Sequence, residues 1–233
     1  MANRPGGEIG ARPLHLIWIV DCSGSMAGTK IESLNLAIRE SIIPTREVAN
    51  ENPQAQVLVR AIKFSDGAQW HISQPTLIHD FKWKDLNADG LTDMGKALTL
   101  AADALKSDFI SERGLPPMLI LITDGEPTDD FKAGLKALMA QPWGAKSVRM
   151  AIAIGEDAKL EPLQEFIGHP EIKPLIADNS KDLANKIKWV STILIKSVTA
   201  PASTTKGEVT SSSNVPIPAP PKSIAATPAD EVF

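Results

Sequence analysis

Apolar residues along the chain fall into two alternating patterns, short continuous runs and segments with helical spacing. Three runs are almost wholly apolar, at residues 14–20, 118–123 and 147–154. Continuous runs of this length are typical of parallel strands that are buried on both faces. Apolar residues at helical spacing predict helices over residues 29–49, 93–106, 128–140, 158–167 and 180–197.

Shorter apolar segments and two prolines complete the expected order of elements. Residues 56–64 and 173–176 predict two further strands, and residues 68–78 predict one or two strands broken by Pro75. Pro44 predicts a kink or interruption in the first helix, because proline lacks the amide hydrogen that a helix uses. Strand and helix patterns alternate from end to end. They predict a three-layer α/β, Rossmann-like fold, with helices flanking a doubly wound, mostly parallel sheet that has one antiparallel edge strand.

The composition changes near both ends of the chain. Residues 1–12 contain glycine, proline and arginine and predict a flexible N-terminus. Residues 199–233 are rich in alanine, proline, serine and threonine and predict a disordered tail, because they offer little apolar surface to bury. Residues 13–198 are left as the folded domain. With 43% apolar residues overall, a chain of 233 residues can build a substantial core.

Charge and cysteine content exclude several classes of protein. The net charge is −4 and the pI about 5.6, so nothing predicts broad attraction to nucleic acid or to anionic lipid. Cys22 is the single cysteine, which excludes an internal disulfide and four-cysteine zinc sites and favours a reducing compartment. No apolar run is long enough to span a membrane, and the N-terminal residues lack the apolar core of a secretory signal. These features predict a cytoplasmic protein without nucleic-acid binding or membrane insertion.

Polar side chains follow the first buried run in a regular spacing. The run ends at Asp21, and Ser23 and Ser25 follow two and four residues later. In parallel α/β sheets, ligands bind outside the carboxyl ends of the strands. Alternate residues of an extended segment point the same way, so one carboxylate and two hydroxyls can converge. Such an oxygen-only site favours Mg²⁺, with Mn²⁺ or Ca²⁺ as alternatives, over zinc.

Two other segments contribute to the same edge of the predicted sheet. The buried run at residues 118–123 is followed by Asp124, which supplies a second carboxylate. The loop before the helix at residues 93–106 supplies a third contribution through Thr92 or Asp93.

These three segments together resemble a known family. Asp21-x-Ser23-x-Ser25, a threonine that opens a helix at Thr92, and Thr123-Asp124-Gly125 after an apolar strand are similar to the metal-ion-dependent adhesion site (MIDAS) of von Willebrand factor A (VWA) domains. The resemblance covers roughly residues 14–197. The run of residues 92–98 and the turn of residues 124–127 look closest to the bacterial, tellurite-resistance-associated TerY-like branch.

The resemblance implies a function and a ligand set. Asp21, Ser23 and Ser25 would lie nearest the metal, Thr92 would bind it directly in one state and through water in another, and Asp124 would bind it directly or through water. An acidic side chain of another protein would complete the metal's coordination. The chain would then be a metal-dependent interaction module rather than an enzyme. The TerY-like branch implies a bacterial stress or phosphorylation-linked system, with a protein kinase and a PP2C-type phosphatase as partners.

A second metal motif is present in the sequence but incomplete. Asp85-x-Asn87-x-Asp89-Gly90 matches the start of an EF-hand loop. The twelfth position of that loop needs a bidentate glutamate, and this chain has Lys96 there. A cation at that position repels calcium, so we expect this loop to present Thr92 rather than to bind calcium.

The sequence leaves two other functions open. A strand-end aspartate with Mg²⁺ is also typical of phosphotransferases and phosphatases that form an aspartyl phosphate, with Asp21 as the nucleophile. Those enzymes commonly carry a second acid two residues later, where this chain has Ser23. The remaining possibility is a structural domain whose site holds no metal.

Overall fold

A single six-stranded sheet forms the centre of the molecule. The computed structural model describes residues 10–106, 110–200, 209–210, 215–223 and 233. The strand order is β3-β2-β1-β4-β5-β6, with β3 antiparallel to β2 and every other pair parallel. The strands are β1 (Arg12–Asp21), β2 (Ala55–Ser65), β3 (Gly67–Leu77), β4 (Met118–Thr123), β5 (Val148–Ile154) and β6 (Leu175–Ala177). The predicted mixed sheet with one antiparallel edge strand is confirmed.

Helices cover both faces of this sheet. Every residue of β4 and β5 is buried, and β1 is buried from Leu14 to its end, as the continuous apolar runs predict. One pair of helices is α1 with α6, and another is α2 with α3. The helices are α1 (Thr29–Glu51), α2 (Met94–Ala104), α3 (Phe131–Met139), α4 (Pro142–Ala145), α5 (Leu160–Ile167) and α6 (Ser180–Thr199).

Pro44 does not interrupt α1, because the helix continues through it from Thr29 to Glu51. Buried residues on both sides of the proline, including Leu34 and Val48, continue the packed face of the helix, which lies against α6. Proline leaves the carbonyl of Glu40 without its helical partner, and Glu40 is exposed, so water can satisfy that group. Tertiary packing therefore outweighs the local cost.

Two other predicted elements differ from the structure. Pro75 does not divide β3, because it lies on an edge strand where the ladder with β2 shifts register between Val59 and Ala61. The helix expected over residues 128–140 begins later, at Phe131, where the Asp130 side chain accepts a hydrogen bond from the amide of Ala133. The short helix α4, with Pro142 at its first turn, was not predicted.

Part of the C-terminal segment lies against the domain. The short strands β7 (Val209–Thr210) and β8 (Pro216–Ile217) pair antiparallel, and the Lys186 ammonium donates to the Ser223 hydroxyl at 3.0 Å. The predicted domain limits at residues 12 and 199 stay predictions, because residues 1–9 and much of the tail lie outside the described residues. No helix in the described part of the chain is long and apolar enough to cross a membrane.

Two glycines bring α2 and α3 into backbone contact. A Cβ added to Gly134 would lie 2.2 Å from the Gly95 carbonyl oxygen, and one added to Gly95 would lie 2.4 Å from the Asp130 carbonyl oxygen. Since Cβ atoms do not approach backbone that closely, neither position accepts a side chain without displacing a helix. The start of α2 is thereby fixed against α3.

One buried histidine makes the fold sensitive to acid. His15 is 5% exposed, and its burial, together with the charge of Arg60, lowers the pKa of its imidazole from 6.5 to about 4. Its Nδ1 atom has no hydrogen-bond partner among the described residues. The folded protein therefore holds His15 neutral at pH values where the unfolded chain binds a proton.

We expect acid to destabilise the protein through His15. Stability from this group is complete above pH 6.5 and is lost as the pH falls toward 4, by about 3 kcal/mol for a shift of this size. Urea unfolding at several pH values should show this slope in the wild type and a flatter one in His15→Leu. The exposed His79 provides the control, His79→Gln, which should keep the wild-type slope. An unchanged slope in His15→Leu would contradict the assignment.

Candidate metal centre

Asp21 lies at the carboxyl end of β1 with no exposed surface. Its Oδ1 atom accepts a hydrogen bond from the Ser23 amide at 2.8 Å, and its Oδ2 atom accepts one from the Thr123 hydroxyl. Burial raises the pKa of the Asp21 carboxyl to about 6, these hydrogen bonds lower it, and the charge of Asp124 raises it further. Burial therefore disfavours the charged form of this carboxyl, and a bound cation would stabilise that charge.

Two serine hydroxyls connect this strand end to the next one. The Ser23 and Ser25 hydroxyls lie 3.0 Å apart, and the Ser25 hydroxyl donates to Asp124 Oδ1 at 2.7 Å. Residues Gly24–Met26 form one turn of 3-10 helix, and the Met26 side chain is fully buried beneath it. The Gly24 amide also donates to the Gly90 carbonyl at 2.9 Å, so the loop is held from both sides.

Lys30, at the start of α1, places a positive charge beside Asp124. The Lys30 ammonium lies 2.6 Å from Asp124 Oδ2, and the Asp124 side chain is 1% exposed. Neither the importance of Lys30 nor the Thr123 hydrogen bond to Asp21 was predicted from the sequence. Lys30 lies nine residues beyond Asp21 in an ordinary helical segment, and no spacing rule indicates that it folds back onto Asp124.

Thr92 reaches the same edge through the loop that precedes α2. It is 7% exposed, and its amide donates to the Thr128 hydroxyl at 3.0 Å. A Cβ placed on Gly125 would lie 3.6 Å from Thr92 Oγ1 and 3.9 Å from Ser25 Oγ. The two hydroxyls therefore flank the same point beside Gly125, and the absence of a side chain there leaves room between them.

The other candidate of that loop, Asp93, faces away from these hydroxyls. Its Oδ2 atom accepts from the Gly67 amide at 2.7 Å and from the Lys96 ammonium at 2.6 Å. The hydrogen bond from Lys96 is the largest cause that lowers the pKa of the Asp93 carboxyl. Asp93 thus fixes the loop to the β2–β3 turn, while Thr92 points to Gly125.

The carboxylates of the EF-hand-like loop do not converge. Asp85 pairs with Arg39, and Asp89 accepts a hydrogen bond from the Gly90 amide at 2.8 Å. Among the described residues, no three His, Cys, Asp or Glu side chains are grouped as metal ligands. A metal site in this part of the chain would therefore have to use other oxygen donors as well, such as hydroxyls, backbone carbonyls or water.

The five predicted ligands meet that requirement, and they fit a hard divalent cation. The structure brings them together at the carboxyl ends of β1 and β4, and their donor atoms are all oxygens: two carboxylates from Asp21 and Asp124, and three hydroxyls from Ser23, Ser25 and Thr92. The Lys30 ammonium forms an ion pair with Asp124, so this edge already binds one positive charge. Metal binding itself stays a prediction.

The comparisons with known proteins agree on the fold. The sequence model of the von Willebrand factor type A domain family matches residues 15–188 of this chain. The human inter-alpha-trypsin inhibitor heavy chain H6 is 31% identical over 167 residues, which cover 65% of this chain and 12% of that protein. The chain therefore matches a small part of that relative's length.

Solved structures share the same architecture at low sequence identity. A von Willebrand factor type A protein from Catenulispora acidiphila superposes with a TM-score of 0.59 at 19% identity, over 78% of this chain and 43% of that one. The pilus adhesin SpaC from Lactobacillus rhamnosus GG gives 0.63 at 14% identity, over 81% of this chain and 31% of that one. At such identities the likeness concerns the fold.

Replacing the buried charge of Asp21 should separate metal binding from folding. Asp21→Asn keeps the acceptor for the Ser23 amide, and the Thr123 hydroxyl can accept from the new amide group. In EDTA at pH 7.5 we expect the variant to be more stable than the wild type by about 1–3 kcal/mol, because no charge is buried.

Thermal unfolding with and without Mg²⁺ measures this effect. Mg²⁺ should raise the midpoint of the wild type and of the exposed control Asp85→Asn, and leave Asp21→Asn unchanged. An equal response of all three proteins to Mg²⁺ would place the metal elsewhere.

Proposed function

The chain belongs to the von Willebrand factor type A domain family, and from this membership we propose that it is a metal-dependent protein–protein interaction module. Domains of this family generally bind other proteins. In the proposed mode, a divalent cation, with Mg²⁺ as the first choice and Mn²⁺ or Ca²⁺ as alternatives, links the domain to an acidic side chain of a partner.

One observation carries the proposal: the oxygen donors of Asp21, Ser23, Ser25, Thr92 and Asp124 meet at one edge of the sheet. Few charged groups are among them, so a cation held there would keep a strong attraction for a further anion. Ser25 and Gly24 are exposed, which leaves this edge open to a partner.

Each residue has a definite part in this mode. Asp21 would supply the buried charge, and the Ser23 amide and Thr123 hydroxyl keep its two oxygens in place. Ser23 and Ser25 would approach from the loop after β1, Asp124 from the end of the neighbouring strand β4, and Thr92 from the loop before α2. The cation, when bound, supplies the positive charge that attracts the carboxylate of the partner.

Phosphoryl transfer with Asp21 as nucleophile is less well supported. The position two residues after Asp21, where such enzymes commonly carry a second acid, holds Ser23, whose hydroxyl does not exchange a proton near neutral pH as a carboxyl group does. One observation favours the enzyme, since Lys30 brings to this edge the kind of cation that neutralises a phosphate. We therefore keep it as the second candidate.

The biological setting is proposed from the sequence resemblance alone. The similarity of residues 92–98 and 124–127 to the TerY-like branch supports a bacterial tellurite-resistance or phosphorylation-linked system. A protein kinase and a PP2C-type phosphatase are the partners that this branch implies. The single, buried Cys22 supports a cytoplasmic location.

Affinity capture from the native host tests the interaction. The immobilised wild type should retain a partner in Mg²⁺ and release it in EDTA, and Asp21→Asn should retain none, a loss of at least tenfold. Asp85→Asn, which alters an exposed carboxylate outside the site, serves as the matched control and should behave as the wild type. Equal capture in Mg²⁺ and EDTA would contradict the proposal.

A phosphate-ester assay decides between the two candidate functions. We expect no Mg²⁺-dependent turnover of p-nitrophenyl phosphate above that of the Asp21→Asn variant, because the chain has Ser23 where such enzymes carry a second acid. Turnover that Mg²⁺ supports and Asp21→Asn abolishes would favour the enzyme over the interaction module.

A further inference from the structure

Lys30 forms the ion pair at the candidate metal centre, and the proposed mode of binding leaves it without a role. Its ammonium lies 2.6 Å from Asp124 Oδ2, and its side chain is 25% exposed while that of Asp124 is 1% exposed. Lys30 is the second residue of α1, so its backbone is fixed at the start of a long, packed helix. The ammonium also lies 3.9 Å from the place where a Cβ on Gly155 would be, so it lies near the end of β5.

The pairing means that Asp124 is satisfied before any divalent cation arrives. Oδ2 accepts from Lys30, and Oδ1 accepts from the Ser25 hydroxyl at 2.7 Å. A cation that binds Asp124 must compete with the ammonium or lie beside it. In either case the positive charge of Lys30 opposes the cation, since the ion pair has little exposure to solvent and is weakly screened.

The formal charges of the site indicate what else must bind. The two carboxylates and Lys30 together carry one negative charge, so a divalent cation would leave the site with one positive charge in excess. If Lys30 were neutral, the same cation would balance the two carboxylates fully. The excess is one charge, which is the charge of one carboxylate.

We propose that Lys30 strengthens the coupling between the binding of the divalent cation and the binding of the partner's carboxylate. This inference rests on the proposed metal-bridged function and describes how that site is regulated. Lys30 weakens the binding of the cation alone, and an anion that neutralises the excess charge restores it. Because coupling between two ligands is reciprocal, the cation must strengthen the anion by the same factor.

Mn²⁺ binding with and without a carboxylate tests the coupling. The electron paramagnetic resonance signal of free Mn²⁺ reports the affinity at pH 7.5, with sodium chloride exchanged for sodium acetate at equal ionic strength. The wild type should bind Mn²⁺ more tightly in acetate than in chloride. Lys30→Met should bind Mn²⁺ about tenfold more tightly than the wild type in chloride, and acetate should raise its affinity by a smaller factor than that of the wild type.

Two further variants define the cause. Lys30→Arg keeps the charge and should keep the acetate effect. Lys96→Met is the matched control, because Lys96 forms an ion pair of the same 2.6 Å length with Asp93, which is not one of the five predicted ligands. It should bind Mn²⁺ as the wild type does in both salts.

The outcomes separate this inference from the proposed function. If Lys30→Met binds Mn²⁺ no more tightly than the wild type, or shows the full acetate effect of the wild type, the role of Lys30 in the coupling is refuted while metal binding stands. If neither the wild type nor Lys30→Met binds Mn²⁺ more tightly than Asp21→Asn in either salt, the metal-bridged function fails and the inference fails with it.

Discussion

A carboxylate with no exposed surface, at the end of a strand in the middle of the sheet, determines how the rest of this edge is built. β1 lies between β2 and β4, so Asp21 emerges where three strands end together. The Ser23 amide and the Thr123 hydroxyl each satisfy one oxygen, yet burial still raises the pKa of the carboxyl to about 6. The loops around it supply further oxygens and one ammonium rather than an apolar cover.

Much of the fold could be predicted from the sequence, because its strongest signals are local. The apolar runs of β1, β4 and β5 show burial on both faces, and the helical spacing between them shows what covers those faces. The expected interruption at Pro44 and the expected break at Pro75 are absent for a common reason. Each proline removes a backbone hydrogen bond. The packing of α1 and the register shift between β2 and β3 compensate for that loss, and neither can be recognised from a local sequence pattern.

The candidate site, too, could be predicted from the sequence only in part. Asp21 and Asp124 could be placed together because both follow buried parallel strands, and parallel strands end at one edge. Lys30 could not, because its position depends on where a long side chain folds after leaving a helix. Lys30 changes the net charge of the site. The five predicted ligands alone carry two negative charges, and together with Lys30 they carry one.

The contact between Gly95 and Gly134 has a mechanical consequence. Thr92 lies three residues before Gly95, and the backbone of Gly95 touches that of α3 with no side chain between them. The amide of Thr92 also donates to Thr128, just ahead of α3. The threonine loop and α3 are therefore fixed to each other, so that a displacement of Thr92 would have to be shared by α3, which ends at Met139.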